Sequence, residues 1–300
     1  MEFGKVPAVI ARDLEFEPGN ENCYDYFMRN TEQHGDYTCF SHYGRTHLKS
    51  EFVADVMAVS AFYKNELGFK QGDVYTIFSP TNVESMILFM ALNRLGVIVN
   101  FVHPLLPPDN LKEILDFTKS KGIMVLDMFV AKYAETIGNQ NIPCTIVVPS
   151  CYALPDKYSA KANEEAMAVV AAKIKNCITY PEILKKYADQ SVEGVTNNKD
   201  AIAIYANGGG TTGKSKTIKL SNGSINELIY MLGAQNTPVE EIGVDTEICS
   251  MPFFHAYGFC AGGLSAMHKG AKVVFLPKFD ADRFIEIMRT ATIRALYVAI

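Results

Sequence analysis

The chain of 300 residues has no tryptophan, an absence that excludes nothing by itself. Three other shortages exclude more. There is no surplus of positive charge: 28 Lys and Arg stand against 33 Asp and Glu, a net charge of −5. A chain without a basic field is a poor partner for nucleic acid, so that function class is set aside. There is no long unbroken apolar run. The most apolar stretch, Ser85–Val102, contains Asn93, Arg94 and Asn100, which a bilayer core tolerates poorly, so no membrane span is expected. There is no Cys-x-x-Cys pair among the seven cysteines, Cys23, Cys39, Cys144, Cys151, Cys177, Cys249 and Cys260. An odd, scattered set fits free thiols in a reducing compartment, not a disulfide framework or a zinc site. Met1–Ala11 is too short and too mixed for a signal peptide, and the expected location is cytoplasmic.

What is present is a globular composition, 48% hydrophobic and 20% charged, which excludes a disordered chain. Met1–Gly35 is mixed and polar, with Pro7, Pro18 and Gly19, and reads as a segment that wraps the surface or packs against a later domain. From Leu48 onward, helical and strand patterns alternate. Phe52, Val56, Val59 and Tyr63 recur at helical spacing within Leu48–Asn65. Val74–Phe78 is a short apolar run of the kind that forms a buried strand. The pattern predicts a helix over Val83–Leu95, with Met86, Met90 and Leu95 in the core. It continues as strand Val97–Val102, helix Leu111–Lys121, strand Ile123–Leu126, helix Phe129–Ile137 and strand Thr145–Val148. This order argues a largely parallel sheet covered on both faces. Two weaker helices, Asn163–Lys173 and Pro181–Ala188, lead to a polar linker, Asp189–Asp200. Strand Ala201–Ala206, loop Asn207–Ser215 and strand Lys216–Leu220 follow, then helix Ile225–Leu232, strand Glu247–Met251, helix Tyr257–His268 and strand Lys272–Leu276. Asp280 is placed to cap a helix over Ala281–Thr290. The reading divides the chain into a first α/β subdomain, residues 1–195, and the start of a second, residues 196–300. The apolar run Ile293–Ile300 is expected to be a truncation point.

The most informative segment is Gly208-Gly209-Gly210-Thr211-Thr212-Gly213-Lys214-Ser215-Lys216. Its glycines leave backbone N–H groups free to surround phosphate oxygens. Thr211 and Thr212 add hydroxyl donors, and Lys214, Lys216 and Lys219 add charge. The plain alternative is a glycine hairpin without a ligand, with Lys219 a solvated strand residue. Read literally, Gly208–Ser215 also satisfies the Walker A pattern, which would make a P-loop NTPase. A P-loop runs from its Lys-Ser directly into a helix. Here Lys216–Leu220 alternates polar and apolar and reads as a strand.

These residues resemble a known family. Tyr205–Asn222 is similar to the phosphate-loop signature of the AMP-forming acyl-CoA synthetases, the adenylate-forming superfamily. Met251-Pro252-Phe253-Phe254-His255-Ala256-Tyr257-Gly258-Phe259 resembles the family's second motif, and Leu67–Leu106 resembles its N-terminal half. Gly208 stands where the family has Ser or Thr, and Ser215 where it has Pro. The resemblance implies an acyl-CoA-synthetase-like adenylating domain, incomplete here, with two mixed or parallel sheets packed with helices in layered αβαβα style. It implies activation of a carboxylic acid, fatty or related, by ATP with Mg2+, then transfer to coenzyme A. Gly208, Gly209, Gly210, Thr211, Thr212, Gly213, Lys214 and Lys216 would bind ATP phosphates. His255, Tyr257 and Gly258 would border the acyl-adenylate pocket. No catalytic residue and no metal ligand is assigned within the chain; the catalytic Lys, and most of the CoA site, are expected beyond Ile300, and the 300 residues are expected to be inactive alone. His255 amid aromatic residues could equally be core, Gly258 and Gly262-Gly263 could serve only tight packing, and His103 reads as a structural loop residue. A non-catalytic nucleotide- or acyl-binding or interaction module on the same fold stays open, as does a homo-oligomer.

Overall fold

The structure, a computed structural model, describes residues 19–42, 44–140, 142–149, 173–195, 199–208, 216–235, 238–277 and 280–297. In chain order its elements are α1 (Cys23–Asn30), β1 (Thr38–His42), β2 (Arg45–Leu48), α2 (Lys49–Ala61), β3 (Val74–Phe78), α3 (Val83–Asn93), β4 (Ile98–Val102), α4 (Pro108–Thr118), β5 (Gly122–Leu126), α5 (Asp127–Gly138) and β6 (Cys144–Val148). They continue as β7 (Cys177–Thr179), α6 (Tyr180–Tyr187), β8 (Ile202–Gly208), β9 (Lys216–Ser221), α7 (Asn222–Gln235), β10 (Thr246–Cys249), a π-helical segment (Gly258–Ser265), α8 (Ala266–His268), β11 (Lys272–Phe275), α9 (Ala281–Thr290) and β12 (Ile293–Tyr297).

Seven strands form one sheet, in the order β7-β6-β5-β3-β4-β8-β9, and five form another, β12-β10-β11-β1-β2. Both are parallel except at one edge, where β9 runs antiparallel to β8 and β2 antiparallel to β1. Leu111 and Leu115 of α4, with Val130, Tyr133 and Ile137 of α5, pack on Phe78, Val102 and Val125 on one face of the larger sheet. Helices α1, α2 and α3 and the π-helical segment fill the space between the sheets. Ile287 of α9 closes the outer face of the smaller sheet against Ile248, Val274 and Leu276. The result is the αβαβα layering that the family resemblance implied.

Local chemistry explains where elements start. Every residue of β3, α3 and β4 is buried, which is why their sequences are near-continuous apolar runs. Asn82 caps α3 by accepting from Ser85 N at 2.8 Å, and Asp280 caps α9 through Arg283 N at 2.8 Å. Thr179 and Glu182 form a reciprocal capping box ahead of α6. The six described cysteines are free thiols. No helix among the described residues is long and apolar enough to cross a membrane.

Several expectations are narrowed or corrected. The described part of Met1–Gly35 takes the packing reading of its two: Asn22 caps α1, which buries Cys23, Tyr24, Tyr26 and Phe27. The β1–β2 hairpin went unread, yet β1 pairs in parallel with β11, Phe40 opposite Val273. Helix α4 begins at Pro108, not Leu111, since proline suits the first helical position. Each sheet draws strands from both sides of residue 195: β8 lies beside β4, and β1 beside β11. Of the helix expected over Asn163–Lys173, only Lys173 lies within the described residues.

Candidate functional site

The larger sheet has a topological switch point. From β3 the chain crosses to β4 on one side, then back over β3 to β5 on the other. The loops after β3 and β4 therefore diverge, and open α/β sheets bind ligands in the crevice such divergence leaves at the carboxyl ends of strands. Strand β8 is parallel to β4, so Gly208 leaves the sheet at that same end. Gly208 faces Lys216 across the β8–β9 hairpin. Lys216 and Lys219 are exposed. A strand over Lys216–Ser221 overturns the P-loop NTPase reading, because a Walker loop must enter a helix there. Gly209, Gly210, Thr211, Thr212, Gly213 and Lys214 lie outside the described residues.

The second motif is stitched to the β3–α3 loop by one buried hydroxyl. Thr81 Oγ1 donates to Met251 O at 3.0 Å and accepts from Phe253 N at 3.1 Å. The turn is closed by His255 N donating to Pro252 O at 3.1 Å. Phe253 is thereby sunk into the core, while His255 stays exposed and Phe254 half-buried. Removing the hydroxyl without changing shape leaves two backbone groups unpaired, each costing about 1–3 kcal/mol. Thr81→Val is therefore expected to lower the midpoint of thermal unfolding by several degrees, whereas Thr81→Ser should stay close to wild type.

Residues that the motifs did not include complete the shelf. The His103 ring lies 4.3 Å from that of Phe254, and Phe254 lies 4.6 Å from His255. His103 Nδ1 accepts from Leu105 N at 3.0 Å, so the neutral ring carries its proton on Nε2. Partial burial, then the neighbouring His255 charge, hold the His103 pKa below its usual value. The Tyr133 hydroxyl donates to Leu106 O at 2.7 Å and pins the same loop. The sequence signal for His103 was its place directly after a buried strand and before Pro104; what it lies against was not readable.

The other expected pocket residues separate. Tyr257 is exposed and meets the Tyr297 ring edge-on at 6.2 Å. Gly258 is a packing residue: a Cβ there would stand 2.4 Å from Pro252 O. Gly262 and Gly263 likewise admit Cys249 Sγ and Met86 Cε, at 2.5 and 2.8 Å from where a Cβ would be. Tight helix packing is satisfied at all three glycines.

Two sheets in five layers are a fold that the chain shares with solved CoA ligases. The AMP-binding enzyme profile matches residues 27–299, and the chain belongs to that family. It is 22% identical over 244 residues to 4-coumarate–CoA ligase 2 of Solanum tuberosum, covering 81% of this chain and 40% of that protein. It is 23% identical over 271 residues to 4-coumarate:CoA ligase 1 of Petunia hybrida, covering 88% and 45%. The crystal structure of ATP-bound MatB from Rhodopseudomonas palustris superposes with a TM-score of 0.64 at 19% identity, covering 90% of this chain and 48% of that one. The chain thus spans less than half the length of these curated relatives.

Proposed function

We infer that the chain carries the triphosphate- and acyl-binding part of an AMP-forming acid–thiol ligase. In that reaction a substrate carboxylate oxygen attacks the α-phosphorus of ATP, forming an acyl-phosphate bond and releasing pyrophosphate. The coenzyme A sulfur then attacks the acyl carbonyl, forming the thioester and releasing AMP. The observation that carries this reading is the β8–β9 hairpin, with Gly208 opposite Lys216 at the end of the sheet where His103, Phe254 and His255 form a shelf. Attack of one anion on another needs charge neutralisation and positioning more than proton transfer. Lys216 supplies a cation at the hairpin stem, and a carboxylate nucleophile needs no general base. Gly209–Lys214 would complete the phosphate cradle. Magnesium, implied by the resemblance, would offset charge on the triphosphate.

The finer reading is an acid with an apolar or aromatic body, fatty or related. It is supported by the half-buried Phe254 of the shelf and by Leu105, exposed two residues after His103. The curated relatives described above are named 4-coumarate–CoA ligases, so arylacrylic acids belong in the same screen. Calorimetric titration with ATP is expected to show binding that Lys216→Ala weakens about 10- to 100-fold, the weight of a charge-assisted contact. No binding by the wild type, or equal binding by the variant, overturns the nucleotide reading. Acid-dependent ATP–pyrophosphate exchange supports activation; nucleotide binding without exchange fits the binding part of a ligase and a non-catalytic module alike.

A further inference from the structure

The larger sheet carries polar residues where a parallel sheet ordinarily carries Val or Ile. Thr76 of β3 and Asn100 of β4 are wholly buried and directly opposite one another, at positions where asparagine is disfavoured. They belong to a chain of hydrogen bonds that crosses the sheet. Thr217 Oγ1 donates to Asn207 Oδ1 at 2.9 Å. Asn207 Nδ2 donates to Asn100 Oδ1 at 2.7 Å and to Phe101 O at 2.9 Å. Asn100 Nδ2 donates to Thr76 Oγ1 at 2.9 Å. Thr76 and Ser120 share a contact of 2.6 Å, Ser120 and Thr118 one of 2.9 Å, and Thr118 Oγ1 donates to Ile114 O at 2.7 Å.

The direction of every bond is forced. Each hydroxyl has one proton. Thr118 gives its proton to Ile114 O, so Ser120 must donate to Thr118. Thr76 must then donate to Ser120, which leaves its oxygen to accept from Asn100. All the protons point away from the hairpin and toward the α4 carbonyl. Such one-way chains polarise cooperatively and resist the flipping of any one member.

We propose that this one-way relay from Thr217 to Ile114 makes Asn207 and Asn100 positioning residues for the glycine-rich hairpin, fixing Gly208 and Lys216 against β4. Asn207 is the residue before Gly208 and the cross-strand partner of Thr217, so its side chain ties both hairpin arms to the neighbouring strand. A second consequence concerns ligand chemistry. The Thr217 proton is committed to Asn207, so Thr217 offers a ligand only an acceptor and cannot donate to a phosphate oxygen.

The test is amide hydrogen exchange, followed by mass spectrometry, on the 300-residue chain and its Thr76→Val variant. Thr76 does not touch the hairpin, but without its oxygen the Asn100 amide loses the partner that orients it. Exchange in peptides covering Lys216–Ser221 is expected to speed about tenfold, with β10 and β11 peptides within twofold of wild type and Thr76→Ser restoring protection. Faster exchange confined to β3 and β5, or equal acceleration in both sheets, overturns the relay. Should Thr76→Val not fold, Thr76→Ala removes the same oxygen with less bulk and carries the same expectations. The consequence for nucleotide binding rests on the function proposed above. Thr76→Val should weaken ATP binding about three- to tenfold. A wild type that does not bind ATP sinks that function while the exchange result still decides the relay, and unchanged affinity in a loosened hairpin overturns the positioning role.

Discussion

Gly258→Ala is expected to lower the thermal unfolding midpoint by roughly 6–12 °C. The added Cβ would lie 2.4 Å from Pro252 O, 2.8 Å from Met251 Cβ and 3.0 Å from Met251 C. Two of these three atoms are backbone, so no side-chain rotation relieves the clash. Overpacking of this kind costs about 3 kcal/mol, and about 2–4 °C accompanies each kcal/mol in a chain of comparable size. The displaced atoms belong to the turn that presents Phe254 and His255, so the variant should also disturb the shelf. Gly233→Ala is the matched control. It lies in α7 with nothing within 4 Å of the new Cβ, and should stabilise by about 0.5–1 kcal/mol through helix propensity. A Gly258→Ala protein that melts with the wild type would show that the turn yields freely, and would remove the packing role assigned to this glycine.

The same contrast explains what could be read from the sequence. Strands β3 and β4 and helix α3 were legible because burial on both faces leaves an unbroken apolar run. The hairpin arm β9 was legible because Lys216–Leu220 alternates and carries two β-branched residues, which separated it from a Walker loop. Helix α1 was hidden because it has only eight residues and follows a segment with proline and glycine. The β1–β2 hairpin was hidden because the partner that explains β1, Val273 of β11, lies at the other end of the chain. At the site, motif residues were visible as types in a pattern, but their company was not. His255 was singled out, while His103, one aromatic ring away, read as a loop residue. Asn100 read only as an interruption of a hydrophobic stretch. Its meaning depends on register, since Thr76 stands opposite it, and Asn207 reaches it from the next strand. Short-range periodicity carries burial; it carries no information on which buried polar groups meet.

The dependence of stability on pH should expose a buried carboxyl that the candidate site does not use. Glu84, in the first turn of α3, is buried between the sheets, and burial raises its pKa from 4.5 to about 7. Asp55, held by the Tyr180 hydroxyl at 3.3 Å, is raised from 3.8 to about 6, again chiefly by burial. A raised carboxyl binds its proton longer in the folded state than in the unfolded one. Stability from this source is therefore full below about pH 4 and is lost as pH rises through the folded pKa. For Glu84 the span between 4.5 and about 7 corresponds to about 3 kcal/mol. Buried histidines act in the opposite sense. Burial lowers His42 and His47 to about 4 and His268 to about 3, so the unfolded chain takes up their protons first as pH falls below 6.5, and stability drops. Between about pH 4.5 and 6 the two sets oppose each other, so the wild-type profile mixes both. Glu84→Gln removes one carboxyl and leaves the imidazoles. Against wild type, the variant should gain nothing at pH 4, gain progressively from pH 5, and reach about 3 kcal/mol at pH 8. Thermal or urea unfolding of both proteins across that range gives the difference directly. A constant offset would mean that the amide merely packs better or worse than the acid. A difference that shrinks as pH rises would mean that Glu84 is ionised and favourably paired in the folded protein.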